Sequence, residues 1–388
     1  MADKELVKRY LQNNPGSWYR LSDLKALGYK ATDRTLRRWL AEWVEQGELN
    51  REGEKKGTRY QWGQAPDSSA PLPSPEQGLI FSTVNQLLLE RVTAPLYTRT
   101  PVTYVQAWVD NYIPNQTYYL TSEQRAYLHQ QTTRTGIQGM AGTYIQKIFN
   151  RMLIDLSYHS ARLEGNTYSI ADTEQLVLQG ISAEGKLDEE RVMILNHKEA
   201  IRYLVQHAAN LQPDEETIRT LHYLLADSLV APGMAGQLRD ESIGVSGTTY
   251  APLEGKERLH QLLVNVLDKA QAIEDCFEQS FFLLGHIAYL QAFVDVNKRT
   301  ARLASIIPLI VNDYVPQSFV DVDKDSYLKA ILCFYEFNEV GPLAELYTWS
   351  YHRSCLHYDT AAQVVGFDEV SALYRSQRRG LVLSLIHI

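Results

Sequence analysis

The residues with most chemistry in them lie between two apolar runs, HIAYLQA and ARLASIIPLI: Phe293-Val294-Asp295-Val296-Asn297-Lys298-Arg299-Thr300-Ala301-Arg302. A turn from Asp295 to Asn297 that opens a helix leaves backbone N–H groups unpaired at the positive end of the helix dipole, which is how a chain cradles a phosphate. Arg299 and Arg302, three residues apart, then share a face near the anion. Asp295 beside a polyphosphate is placed to hold Mg²⁺. The same composition also suits a surface turn capped by Asp or Asn ahead of a basic, solvated helix, so the segment alone leaves both readings open.

The elements around it are mainly α. Runs such as EERVMILNHKEAIRYLVQHA, ETIRTLHYLLADSLV, RLHQLLVNVLDKAQAIEDCFEQSFFLLGHIAYLQAF and ARLASIIPLIVNDYV repeat apolar residues at three and four. GVSGTTYAPL, residues 244–253, departs from this and reads as a β-hairpin. Upstream, SARLEGN reads as a helix with a Gly-Asn stop. Residues 63–78, GQAPDSSAPLPSPEQG, offer almost nothing to bury and read as a linker.

Before that linker, residues 1–62 read as three short helices, the second opened by Ser22 and the third near Thr32 or Asp33, then a two-stranded wing around Gly53 and Gly57. This resembles a winged helix-turn-helix. The resemblance puts Arg34, Arg37 and Arg38 near the major groove of duplex DNA and Lys55, Lys56 and Arg59 against phosphates. Such modules also serve as protein-docking or dimerisation units, and that reading stays beside the first. Residues 1–62 hold 13 Lys and Arg against 9 Asp and Glu, leaving 25 against 37 for the rest, so the head is basic and the body acidic within a net charge of −8.

Cys276, Cys333 and Cys355 have neither disulfide-framework nor zinc-ligand spacing and are expected as buried free thiols. With no leader-like N-terminus and no apolar run of about 18 residues, the expected compartment is the cytoplasm, with no membrane partner. FDEVSALYRSQRRG starts like a helix and gives way to LVLSLIHI, so residues 361–388 read as a C-terminal segment with either a truncated or a misread end.

The segment at 293–302 resembles the signature of the Fic (Fido) family, His-Pro-Phe-x-Asp/Glu-Gly-Asn-Gly/Lys-Arg-x-x-Arg. Phe293, Asp295, Asn297, Lys298, Arg299 and Arg302 match it, while Gln291, Ala292 and Val296 replace His, Pro and Gly. Ser160, Glu164 and Gly165 resemble the family's inhibitory helix motif. The segment Gly244, Val245, Ser246, Gly247 and Thr248 resembles the flap that aligns a target chain. The implied fold is a Fic-type helical domain with a β-hairpin flap and an N-terminal helical extension over 79–360, preceded by the small winged helix-turn-helix domain over 1–62.

The resemblance implies AMP transfer from ATP to a hydroxyl side chain of a target protein or of the chain itself. Asp295 would hold Mg²⁺, Asn297, Lys298 and Arg299 would cradle phosphates, and Arg302 would bind a phosphate or pair with an inhibitory Glu164. Gln291 stands where the family has its base. A carboxamide cannot take a proton near neutrality, and losing a positioned base costs on the order of 10²- to 10⁴-fold. His286, five residues back, lies about 140° round a helix from 291 and does not substitute. A Cβ at Val296 restricts the left-handed conformation that Gly would give the turn. Three readings follow: a divergent transferase, a nucleotide-sensing DNA-binding regulator without transfer, and a scaffold that only associates, with a second copy as candidate partner.

Overall fold

Apolar spacing and caps, read residue by residue, account for most of the helices. The computed structural model describes residues 2–13, 18–26, 31–46, 48–53, 58–62, 78–132 and 143–358. The head runs α1 (Ala2–Asn13), β1 (Tyr19–Arg20), α2 (Leu21–Ala26), α3 (Asp33–Glu45), β2 (Leu49–Glu52) and β3 (Arg59–Trp62). In α3 the Thr32 hydroxyl accepts from the Thr35 amide and starts the helix. Leu36, Trp39, Leu40 and Trp43 then fall on one face and are buried, while Arg34, Arg37 and Arg38 stay exposed on the other.

The three strands form an antiparallel sheet in the order β1-β3-β2, with Leu49 opposite Trp62 and Tyr19 opposite Tyr60. The second helix begins at Leu21 instead of at Ser22, because the Arg20 amide already donates to the Asp23 carboxylate at 2.7 Å. Lys55, Lys56, the linker from 63 to 77 and residues 359–388 lie outside the described residues.

The body contains α4 (Thr83–Thr93), β4 (Val102–Thr103), α5 (Gln106–Asp110), α6 (Ser122–Thr132), α7 (Thr143–Glu164), α8 (Ile170–Gln179), α9 (Asp188–Gln206) and α10 (Glu215–Ala226). It continues with β5 (Tyr250–Ala251), α11 (Lys256–Ala272), α12 (Cys276–Leu290), α13 (Asn297–Ser305), α14 (Ile307–Val311), α15 (Lys324–Phe337) and α16 (341–358). Every residue of α12 except Gln279 is buried, which makes it the axis around which α11, α13, α14 and α15 pack.

Two runs that look continuous in sequence are each broken. The Asp275 carboxylate accepts from the Phe277 and Glu278 amides and starts α12 afresh after α11. Pro308 lacks an N–H and its ring would strike the carbonyl four residues back, so α13 stops and α14 begins. The expected hairpin at 244–253 is a turn followed by β5, and β5 pairs in parallel with β4, Val102 opposite Tyr250 and Thr103 opposite Ala251. The partner strand lies far upstream in the chain, a separation that local alternation does not encode.

The apolar core of the head extends into the body: Leu6, Leu40, Trp43 and Trp62 belong to one cluster with Leu88 and Val92 of α4 and Cys333 of α15. All three cysteines are free and buried. Among the described residues no helix is long and apolar enough to cross a membrane.

Candidate functional site

The turn between α12 and α13, together with α13 itself, carries the signature residues. Gln291 leaves α12 at φ 51°, and Val296 precedes α13 at φ 64°. For a β-branched residue the left-handed region is strained by roughly 1–3 kcal/mol. The expected restriction by a Cβ is therefore met by a turn that its neighbours hold in place. Asn297 clamps it from both sides, its Oδ1 accepting from the Phe293 amide at 2.9 Å and its Nδ2 donating to the Phe293 carbonyl at 2.8 Å. The Val296 amide donates to Asp295 Oδ1 at 2.6 Å. The Asp295 carboxylate is otherwise largely exposed, with Oδ2 3.6 Å from Arg299 Nη2.

Glu164, at the end of α7, reaches the opening of α13. Its Oε1 accepts from Arg302 Nη2 at 2.7 Å, and its Oε2 lies 3.1 Å from Lys298 Nζ. Burial opposes ionisation of this carboxyl, but Arg302, Lys298 and Arg299 outweigh it and hold the group at about 2. Arg302 is buried and fully engaged: Nε donates to Ser160 Oγ at 3.0 Å, Nη2 to the Ser160 carbonyl at 3.1 Å, and Nη1 to the Tyr327 hydroxyl at 3.2 Å. Ser160 in turn donates to His197 Nε2 at 2.8 Å, because His197 Nδ1–H is spent on the Met193 carbonyl. Arg299 is buried, and its Nη1 has no hydrogen-bond partner. Gly165, at φ 100°, ends α7 immediately after Glu164.

The side chain of Gln291 faces inward. Its Nε2 donates to the Ala288 carbonyl at 2.7 Å and contacts the Tyr335 hydroxyl at 3.3 Å, and the residue is buried. Two histidines lie near, and neither replaces a base. His286 is buried with Nε2 2.8 Å from the Tyr119 hydroxyl, and burial pushes it down to about 3. His222 stacks on Phe293, accepts from the Gly236 amide at Nδ1, and donates through Nε2–H to the Asp295 carbonyl at 3.2 Å. Burial lowers it to about 4, so it is neutral and supports the turn from behind.

Sequence reasoning did not single out Arg239, although it sits in the GQLRDE segment. It is fully buried, and its Nε donates to the Gln291 carbonyl at 2.7 Å. Nη1 donates to the Glu241 carbonyl at 2.8 Å and Nη2 to the Leu253 carbonyl. One guanidinium thus closes the neck of the loop that carries Gly244, Val245, Ser246, Gly247 and Thr248 and ties it to the signature turn. A cavity of about 800 Å³ opens beside this neck, lined by Glu215, Arg219, Asp240, Lys256 and His260. None of the signature residues lines it.

Residues 212–309 match the sequence profile of the Fic/DOC family. Over 163 residues, 41% of the chain, it is 24% identical to "Protein adenylyltransferase fic-1" of Caenorhabditis elegans and 27% identical to "Protein adenylyltransferase Fic" of Drosophila erecta. The match spans 32% of each of those relatives, about a third of their length. In three dimensions the chain resembles Fic-1 of Caenorhabditis elegans (residues 134–508) at a TM-score of 0.53 and 17% identity, over 62% of this chain and 72% of that one. A Fic family protein of Desulfovibrio desulfuricans G20 is similar at a TM-score of 0.53 and 16% identity, over 64% and 77%. At these identities the structural likeness is one of fold.

Proposed function

The chain carries a Fic/DOC domain, and from that premise we propose that it binds ATP or a related nucleotide at the opening of α13 and belongs to the protein adenylyl-transfer type, with Glu164 as its inhibitor. The observation that carries the proposal is the seat of Glu164: one half-buried carboxylate takes both Lys298, in the first turn of the helix whose N-terminus would receive phosphate, and Arg302, one turn further on. A carboxylate there stands in for an anion, and a nucleotide has to displace it. Arg299, with Nη1 unpartnered, remains a donor available to a phosphate oxygen.

In transfer, a hydroxyl oxygen of a target side chain attacks the α-phosphorus and the bond to pyrophosphate breaks. The proton leaves to water, since the Gln291 amide has no basic lone pair. Among the described residues no group of three His, Cys, Asp or Glu could hold a metal. The exposed Asp295 carboxylate fits a Mg²⁺ that takes its remaining ligands from phosphate and water, as this ion commonly does. Such an ion would offset charge on the leaving group.

Labelled ATP with Mg²⁺ tests this. Wild type is expected to incorporate no label, Glu164→Gly to modify itself slowly, and Glu164→Gly with Gln291→His to do so on the order of 10²- to 10⁴-fold faster. No incorporation by either variant, with nucleotide binding intact, would leave a second reading: a nucleotide-sensing regulator without transfer chemistry. Two observations favour that one. The Gln291 amide is bonded inward, and the basic face of α3 is open to solvent on a head whose helix-strand-helix-helix-strand-strand order suits a DNA-binding winged helix.

A further inference from the structure

Loop 241–253 is pinned twice, and the second pin comes from outside the family domain. Arg239 closes its neck. Its tip is held by an ion pair between Arg99, on the extension before β4, and Glu336, on α15. Arg99 Nη1 lies 2.6 Å from Glu336 Oε1, with the two side chains 8% and 1% exposed. The same Oε1 accepts from the Thr248 hydroxyl at 2.6 Å and the Thr249 amide at 3.2 Å, and Arg99 Nη2 donates to the Gly247 carbonyl at 2.8 Å. The next residue continues the arrangement: the Tyr250 hydroxyl donates to the Tyr289 carbonyl at 2.6 Å, and its ring lies beside those of Tyr289 and Tyr335. Tyr289 is two residues before Gln291, and Tyr335 contacts it. The pinned tip is therefore a wall of the signature turn.

This pair is poorly built as a source of stability. Glu336 Oε2 and Arg99 Nε are both buried without a hydrogen-bond partner. A buried ion pair with unsatisfied atoms gains little over apolar packing of the same volume. What it does supply is direction: a single carboxylate oxygen sets the positions of a hydroxyl, a backbone amide and a guanidinium that holds a backbone carbonyl. Arg99 and β4 belong to the extension, and Glu336 follows the matched residues 212–309, so this placement is the work of the surrounding chain.

We propose that Arg99 and Glu336 are positioning residues that fix the main chain of Gly247–Thr249, so that the acceptor segment is aligned beside Gln291 on a rigid edge. The proposal rests on the adenylyl-transfer reading for its functional consequence, and its structural half stands apart from it.

The full-length chain is compared as wild type, Glu336→Gln and Arg99→Lys. Glu336→Gln keeps the shape and one acceptor oxygen while losing the charge. Backbone hydrogen exchange at 246–250 is expected to rise at least tenfold in Glu336→Gln and less in Arg99→Lys, with exchange in α13 and ATP affinity unchanged. In a Glu164→Gly background the same substitutions are expected to lower self-labelling at least fivefold at saturating ATP. Unchanged exchange at 246–250, or a rise spread over the whole of α15, would overturn the positioning role. So would self-labelling that is undiminished while exchange rises. Absence of ATP binding in wild type and in Glu164→Gly would instead defeat the nucleotide reading, and the exchange comparison would still decide the pin.

Discussion

Glu164 satisfies Arg302 and Lys298 together, so removing it should act on nucleotide binding before it acts on anything else. Calorimetry is expected to show Glu164→Gly binding ATP on the order of tenfold tighter than wild type, about 1.4 kcal/mol. Adding Arg302→Ala should remove that gain, and equal affinities in wild type and Glu164→Gly would count against the inhibitory role. The Glu164 carboxyl is depressed to about 2 from 4.5. Its contribution to stability is complete above about pH 4.5 and lost as pH falls towards 2. Neutral His222 works in a higher window. Its folded value of about 4 lies below the 6.5 of an unfolded histidine, so the unfolded chain binds the extra proton and stability declines as pH falls from 6.5 towards 4. For one such group the loss is about 2 kcal/mol by pH 5. Urea titrations at pH 5 and pH 7 should show this difference shrink in His222→Gln, and an unaltered difference would place the acid sensitivity elsewhere.

Two helices carry the positional work, α12 as the axis and α15 as the brace. α15 sends Tyr327 to Arg302, Tyr335 to Gln291 and Glu336 to the loop tip. Its Phe334 fits against Gly285 of α12 so closely that a Cβ there would lie 2.4 Å from the ring. Gly285→Ala is therefore expected to destabilise by roughly 1–3 kcal/mol despite alanine's better helix propensity, because the brace must shift. Chemical denaturation reads the sign directly, and a stabilised Gly285→Ala would mean that the two helices do not press against each other at this point. Most of these helices are visible as apolar periodicity, and Thr32 is legible as a cap. The breaks are harder to see: Asp275 and Pro308 interrupt runs whose periodicity continues through them. The partner of β5 is not legible at all, since the two-residue strands β4 and β5 carry too little alternation to declare themselves.

At the scale of the whole molecule, a basic head shares an apolar cluster with α4 and with the brace α15 of an acidic body. Arg34, Arg37 and Arg38 face away from that cluster and reach solvent, so docking on the body leaves them accessible. If the head binds duplex DNA, binding by the full-length chain should weaken steeply with salt. Replacing the three arginines with alanine should reduce the slope of log K against log salt by about 0.9 for every DNA phosphate that the variant no longer neutralises. A mobility shift that is absent at low salt would point to the docking role.

The sequence by itself determined the local facts: mainly helical character, a polar turn at 295–297 opening a helix, the order of Ser160, Glu164 and the signature, and the absence of an imidazole at 291. These depend on residue type and on spacings of three or four, which the backbone reads directly. Only the tertiary structure decided which distant groups meet. Glu164 arrives 2.7 Å from an arginine 138 residues away, Gln291 turns its amide into the core, and Arg99 meets Glu336 across 237 residues. Arg239 became visible as the clamp on the loop neck only when three carbonyls from separate segments converged on it. The physical reason is common to all four. A buried polar or charged group is tolerated only where partners converge on it, and that convergence is a product of packing the whole chain.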